Sequence, residues 1–297
     1  MIELLIDQRR RDIGGFEVGR VLPFSKRRMV GPFIFLDHMG PVDLPKGLAR
    51  TADVRPHPHI GLSTVTYLFA GEVMHRDSTG VEQAIRPGEV NWMTAGSGIT
   101  HSERFERARS EGGPMHGIQS WVALPDGQEE TKPAFTHHEG NDLPVHNEGP
   151  VWLRILAGEA YGLRAAVNTH SPLFYAHGAL GLGARIALPS EHAERAAYVV
   201  SGAVQADGEA IAATQMAVFA PGADAVVEAT APSVLMLLGG APVGERFIEW
   251  NFVSSSQDRI AQAKADWRAG RMKLPDLDNA EFVPLPPDPL PGAGAMS

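Results

Sequence analysis

Glycine and proline interrupt this sequence so often that little room is left for long helices. The 297 residues include 32 glycines and 23 prolines, and these stand between short apolar runs. Such punctuation is typical of many short strands joined by turns. We therefore expect a mostly β protein.

Two strand-rich stretches are predicted on either side of a polar segment. In the first, from about residue 2 to 125, the strand-like runs are 33–36, 63–69, 90–93 and 118–123. In the second, from about 150 to 242, they are 151–156, 184–188, 196–200, 217–219 and 234–238. Residues 125–150 are polar and contain proline, which indicates a linker or long surface loop. The length favours two domains, predicted as 1–145 and 146–297.

One helix is predicted close to the C-terminus. The serines at 254–256 offer N-caps, and Ile260, Lys264 and Trp267 then recur at helical spacing. The sequence after residue 282 is Pro-rich and has no periodicity, so we expect an extended tail.

Charge and composition exclude several classes of function. The chain has 26 Lys+Arg against 35 Asp+Glu, a net charge of −9, and no cysteine. Disulfides and thiolate metal sites are therefore excluded, and direct nucleic-acid binding is not expected. The sequence has neither a signal-peptide pattern nor an apolar run of membrane-spanning length, so we expect a cytoplasmic protein without a membrane partner.

A weak internal repeat suggests that the two halves are duplicates. An offset of 131 residues aligns Pro58 with Pro189, Tyr67 with Tyr198 and Gly71 with Gly202. In that register His57 and His59 correspond to Leu188 and Ser190. If the repeat is real, only the first half could retain histidine chemistry there.

The sharpest chemical signal is a pair of His-x-His/Glu motifs. His57 and His59 are followed 42 residues later by His101, with Glu103 two positions beyond it. Residues i and i+2 of a strand project from one face, so two such strands can direct four ligands at one point. Three imidazoles and a carboxylate suit Fe, Mn, Co, Ni, Cu or Zn. Surface histidines on a polar sheet face are the alternative.

Three further histidines, His38, His75 and His116, stand in the same motif-rich stretches. A metal-bound imidazole usually needs a partner for its second ring nitrogen, so each could orient a ligand. An ordinary polar residue with satisfied hydrogen bonds is the alternative for each.

The residues around these motifs resemble the pirin family of bicupins. The stretches that carry the resemblance are RPHPHIGLSTVTYLFAGEVMHRDSTG, IRPGEVNWMTAGSGITHSE, HGIQSWVALP and GPFIFLDHMG. The resemblance implies two tandem cupin (jelly-roll-like) β-barrel domains, a short C-terminal helix and an extended Pro-rich tail. It also implies His57, His59, His101 and Glu103 as ligands of one metal, typically Fe(II), with a degenerate, metal-free C-terminal cupin.

The resemblance implies two alternative functions. One is a quercetin 2,3-dioxygenase that acts with O2 on a flavonol or a related enolic aromatic and releases carbon monoxide. In that reaction Glu103 would be the catalytic base that takes the substrate's hydroxyl proton. The other is a non-enzymatic, iron-dependent redox sensor that binds and regulates a protein partner. A cupin with an empty site is a third interpretation.

Overall fold

The computed structural model describes residues 1–13 and 16–287, in which strands dominate as the sequence predicts. The elements of the first half are β1 (Ile2–Asp7), β2 (Arg9–Asp12), β3 (Glu17–Leu22), β4 (Phe33–Leu44), β5 (Val54–His59), β6 (Leu62–Ala70), β7 (Val73–Asp77), β8 (Glu82–Ile85), β9 (Val90–Thr94), β10 (Ile99–Arg104), α1 (Glu106–Glu111), β11 (Gly113–Ala123) and β12 (Ala134–His138). The elements of the second half are β13 (Val145–Glu148), β14 (Val151–Ala160), β15 (Leu163–Arg164), β16 (Leu173–Leu180), β17 (Arg185–Ala187), β18 (Glu194–Ser201), β19 (Ala203–Ala206), β20 (Glu209–Ala212), β21 (Gln215–Phe219), β22 (Val226–Ala229), β23 (Ser233–Gly240), β24 (Phe247–Glu249), β25 (Phe252–Ser254) and α2 (Gln257–Arg268).

Two pairs of sheets build two units of the same design. In the N-terminal barrel, a seven-stranded sheet of order β12-β9-β6-β11-β4-β3-β2 accompanies a four-stranded sheet of order β5-β10-β7-β8. In the C-terminal barrel, the corresponding orders are β1-β21-β18-β23-β16-β14-β13, with β15 beside β14, and β17-β22-β19-β20. The strands that carry Tyr67 and Tyr198, β6 and β18, occupy equivalent central places. The sheet orders therefore confirm the internal repeat.

The first strand and the C-terminal region each pack on the barrel that the opposite half of the chain forms. The strand β1 forms the edge of the C-terminal barrel by pairing with β21, in the place that β12 takes in the N-terminal barrel. Residues 247–287, here called the C-terminal arm, return to the N-terminal barrel, where Phe252 bridges to Ile60 and the backbone N–H of Val283 donates to Pro56. The predicted boundary near residue 145 stays a prediction, and both chain ends cross it.

The predicted helix forms with the expected cap and face. The Ser256 side chain accepts a hydrogen bond from the Arg259 backbone N–H at the start of α2, while Ile260 and Trp267 are buried. The described part of the predicted tail, up to residue 287, has no regular structure, and the Trp267 indole donates to the Val283 carbonyl. The tail from residue 288 lies outside the described residues.

One local expectation is wrong, and one helix was not predicted from the sequence. Residues 125–150 contain the edge strands β12 and β13, and the latter pairs with β14. An edge strand pairs on one side and can remain polar, so its sequence lacks the apolar signal of a central strand. The helix α1 was also not expected, because its charged residues show no apolar period and only Ala108 is buried.

A continuous apolar core joins the barrels. It includes Leu36 and Val65 from the first unit and Met216 and Met236 from the second, all fully buried. Neither α-helix in residues 1–13 and 16–287 has the length and apolar character needed to cross a membrane.

Candidate metal centre

Three histidines from two neighbouring strands converge inside the N-terminal barrel. The strand β5 carries His57 and His59, and the antiparallel register places His101 of β10 directly opposite His57. One ring nitrogen from each histidine lies within 4.8 Å of one from each of the others. All three side chains are buried. The histidines of the two motifs thus meet as the strand geometry predicts.

The Nδ1 atom of each of these histidines already has a neighbour. The Nδ1 of His57 lies 2.9 Å from the Arg55 carbonyl oxygen, and that of His59 lies 3.1 Å from the Asn251 carbonyl oxygen. The Nδ1 of His101 lies 3.4 Å from Nδ1 of His75. With each Nδ1 engaged, the Nε2 atoms are the ones available to a shared ligand.

Burial keeps these imidazoles neutral. It lowers the pKa of His57 to about 4 and those of His59 and His101 well below the ordinary histidine value. The Nε2 of His101 is buried without a hydrogen-bond partner among the described residues. A buried nitrogen lone pair without a partner is costly unless something binds it. Three neutral donors with one orphaned nitrogen therefore fit a divalent metal.

Glu103 lies two residues beyond His101 on the same strand but outside the set of mutually close donors. Its Oε1 accepts hydrogen bonds from Nε2 of Gln119 at 2.7 Å and from the Thr66 hydroxyl at 3.5 Å. Burial raises the pKa of Glu103, and the Gln119 hydrogen bond opposes that rise. The carboxyl group also lines a cavity together with His57.

This cavity has a volume of about 410 Å³, and His57 is the member of the cluster that lines it. Phe35 and Trp121 lie on its wall with their rings stacked 4.0 Å apart. The Arg20 guanidinium lies over the Phe35 ring, and its Nε and Nη2 atoms each donate to Asp37 at 2.8 Å. The cavity thus combines flat apolar surfaces with a fixed ion pair.

The C-terminal arm completes both the cavity and the histidine cluster. Trp250, Asn251 and Val283 line the cavity, and the Asn251 carbonyl is the neighbour of His59. The Thr100 hydroxyl, next to His101, donates to the Lys273 carbonyl. The arm therefore holds both strands that carry the histidines.

Sequence reasoning missed these cavity residues. Asp37 was detectable, because it interrupts a buried apolar run in β4. Asn251 acts through its backbone carbonyl, which has no side-chain signature, and it stands 192 residues from His59.

Of the three further histidines, only His75 lies at the cluster. His38 and His116 pair with each other through their Nε2 atoms, 2.8 Å apart, and His38 reaches the Tyr198 hydroxyl of the other barrel.

A second group of possible donors, Glu89, His137 and Glu139, lies on the N-terminal barrel. His137 is partly buried, and its Nδ1 lies 2.6 Å from the Asn91 amide oxygen.

Family profiles match both halves of the chain. The profile described as pirin matches residues 15–122, and that described as the pirin C-terminal cupin domain matches residues 175–273. A pirin-like protein of Caulobacter vibrioides is 63% identical over 287 residues, which cover 96% of this chain and 100% of that protein.

Solved structures share the architecture. A quercetin 2,3-dioxygenase from Acinetobacter baumannii is 34% identical with a TM-score of 0.86, covering 98% of this chain and 97% of that one. The bacterial pirin YhhW of Escherichia coli, solved in complex with nickel(II), has a TM-score of 0.65 at 18% identity and covers 82% of this chain and 100% of its own. At that identity, the second likeness concerns the fold alone.

Proposed function

This chain belongs to the pirin family, and from that premise we propose that it is a metal-dependent dioxygenase that opens a flavonol such as quercetin or a related enolic aromatic. The predicted fold class, mostly β with two tandem cupin domains, is confirmed. The observation that carries the proposal is the position of three buried, neutral histidines beside a cavity with aromatic walls. The relationship to a structure described as a quercetin 2,3-dioxygenase supports the substrate class.

His57, His59 and His101 are the proposed ligands of one metal, with Glu103 as the fourth ligand. A set of nitrogen and oxygen donors suits first-row metals; Fe(II) is our proposal, and Mn, Co, Ni, Cu and Zn are the alternatives. When bound, the metal would supply Lewis acidity and the redox chemistry that a reaction with O2 requires.

The chain's own residues provide a place for a flat substrate. A cavity of about 410 Å³ is within the size range of small-molecule sites. Phe35, Trp121 and Trp250 line it, and aromatic faces bind a planar ring by offset or edge-to-face contact. The cavity thus favours an aromatic substrate over a sugar or a peptide.

Glu103 is the proposed base for the substrate's hydroxyl proton. Both of its hydrogen bonds reach Oε1, from Gln119 and Thr66, so no donor among the described residues engages Oε2. Gln119 holds the carboxyl group in place while Oε2 remains available to accept the proton. The raised pKa of Glu103 suits a group that must accept and later release a proton.

Oxygen consumption and carbon monoxide release with quercetin test this function. The wild type should consume O2 and release carbon monoxide, while His101→Ala should do neither. His146→Ala is the matched control, because this histidine lies on the partly exposed strand β13, outside the converging cluster, and its loss should leave both signals unchanged.

The proposed alternative is the iron-dependent redox sensor that binds a protein partner. A wild type that holds one metal per chain yet consumes no O2 with quercetin or other enolic aromatics would contradict the dioxygenase and favour the sensor.

A further inference from the structure

His75, whose Nδ1 lies beside Nδ1 of His101, also contacts the buried carboxylate of Asp77. We propose that Asp77 and His75 form a positioning relay that fixes the tautomer and ring orientation of His101. This inference rests on the proposed metal site, because it concerns how one of the three histidines is prepared for a ligand.

Strand pairing brings the three side chains together. In the antiparallel register of β7 and β10, Asp77 lies opposite His101, and His75 lies opposite Glu103. The Nε2 of His75 lies 3.0 Å from Oδ2 of Asp77, and its Nδ1 lies 3.4 Å from Nδ1 of His101. The contacts therefore form an unbranched series, Asp77 to His75 to His101.

The chemistry of each atom sets the direction of the hydrogen bonds. A carboxylate only accepts, so the proton between Asp77 and His75 belongs to Nε2 of His75. In the proposed relay His75 keeps that proton on Nε2, so that its Nδ1 accepts the Nδ1–H of His101. His101 is left with its lone pair on Nε2, the atom that is buried and unpartnered. One carboxylate thereby determines which nitrogen of a second histidine can bind a metal.

Asp77 is fixed for this task by contacts that leave Oδ2 to His75. Its Oδ1 accepts from the Thr79 backbone N–H at 2.8 Å, the Thr79 hydroxyl at 2.6 Å and the Val81 N–H at 3.4 Å. A turn-stabilising aspartate needs only those bonds at Oδ1. The contact between Oδ2 and Nε2 of His75 is not needed for the turn, and it is the contact that positions His75.

Packing shields the relay from water. Asp77 is 1% exposed and His75 is 3% exposed, and the Phe135 ring stacks on His75 with centroids 4.5 Å apart at 23°. A water molecule cannot readily replace either partner, so the protein itself must supply the acceptor for His101.

Metal binding by His75→Phe and Asp77→Asn tests the relay. Phenylalanine keeps the stacking on Phe135 and removes both ring nitrogens. Asparagine is isosteric, and because the Thr79 and Val81 backbone N–H groups donate to the Oδ1 position, its amide NH2 must take the Oδ2 position and present a donor to His75. For each variant we expect Fe(II), titrated alone into apoprotein without O2, to bind about 10- to 100-fold more weakly than in the wild type. The absorption bands of the Co(II)-loaded protein should also shift, because the orientation of His101 changes.

His38→Phe is the matched control, because His38 is also 3% exposed and has two polar neighbours away from the cluster. It should bind Fe(II) like the wild type, with unchanged Co(II) bands. If His75→Phe does not fold, the isosteric Asp77→Asn decides the matter. Wild-type affinity and bands in the folded relay variants would overturn the relay alone, whereas a wild type that binds no metal would overturn the proposed site.

Discussion

At the scale of single residues, burial determines the chemistry of the site. His57, His59 and His101 are neutral because they are buried, and Glu103 beside them has a raised pKa for the same reason. Low solvent access thus favours neutral nitrogen donors, and it raises the pKa of the carboxyl group that is proposed to take up the proton.

Replacing Glu103 by glutamine should remove the proposed base while keeping the side-chain size. We expect the rate of O2 consumption with quercetin, under saturating metal, to fall by about 10²- to 10⁴-fold, which is the usual contribution of a general base. Gln119→Glu is a partner test, because a carboxylate facing Oε1 of Glu103 should also slow the reaction. A Glu103→Gln rate within threefold of the wild type would exclude Glu103 as the base.

At the scale of elements, the C-terminal arm is attached to the strands that carry the histidines. The buried Arg104 of β10 donates to Asp278 at 2.7 and 2.8 Å and to Glu281 at 3.0 Å. The Val283 backbone N–H donates to the carbonyl of Pro56, the residue directly before His57 on β5. The arm and the two strands should therefore open together rather than separately.

Removing the Asp278 carboxylate should release the arm. We expect Asp278→Ala to lower the local stability by about 3 kcal/mol, because a buried guanidinium loses its bidentate partner. Hydrogen exchange at the amides of residues 270–287 should then be roughly 100-fold faster. Asp276→Ala is the matched control, since Asp276 pairs with Lys273 on the surface and such pairs contribute little. Equal exchange in both variants would contradict the claim that the Asp278–Arg104 pair holds the C-terminal arm in place.

Local geometry explains how much of this site was predictable. The strand period places His57 beside His59, and His101 beside Glu103, from spacing alone. The Asn251 carbonyl and Val283 reach the cluster only because the chain end folds back onto the first barrel. No sequence period encodes a contact 192 residues away, so the part of the cavity wall that the C-terminal arm supplies was not predictable from one sequence.

At the scale of the whole molecule, hydrogen bonds between histidine and tyrosine side chains cross the apolar interface between the two barrels. His38 of β4 meets the Tyr198 hydroxyl of β18 at 2.8 Å, and the Tyr67 hydroxyl meets Nδ1 of His177 of the other barrel at 2.8 Å. Burial lowers the pKa of both His38 and His177 to about 4. Protonation of these two interface histidines is therefore coupled to the free energy of unfolding.

The sign of that linkage gives a pH prediction. In the unfolded chain His38 would titrate near its ordinary pKa, about 6.5, whereas in the folded protein it titrates at about 4. Between these values the unfolded chain binds more protons, so the free energy of unfolding falls as the pH drops, by up to about 1.4 kcal/mol per pH unit for this one group.

Urea unfolding at pH 7, 5.5 and 4.5 measures this effect. His38→Phe should show a shallower loss of stability with falling pH than the wild type. His146→Gln, on the partly exposed edge strand β13, should follow the wild type. Identical pH slopes for the wild type and His38→Phe would contradict a proton-linked interface.

The central claim is that His57, His59 and His101 together hold one first-row metal. The most direct test is elemental analysis of the untagged wild type, His101→Ala and the control His146→Ala, each prepared as apoprotein, reloaded with Fe(II) without O2 and freed of unbound metal. The account predicts about one iron per chain in the wild type and the control, and a near-complete loss in His101→Ala. Equal iron in all three proteins, or none in the wild type, would contradict it.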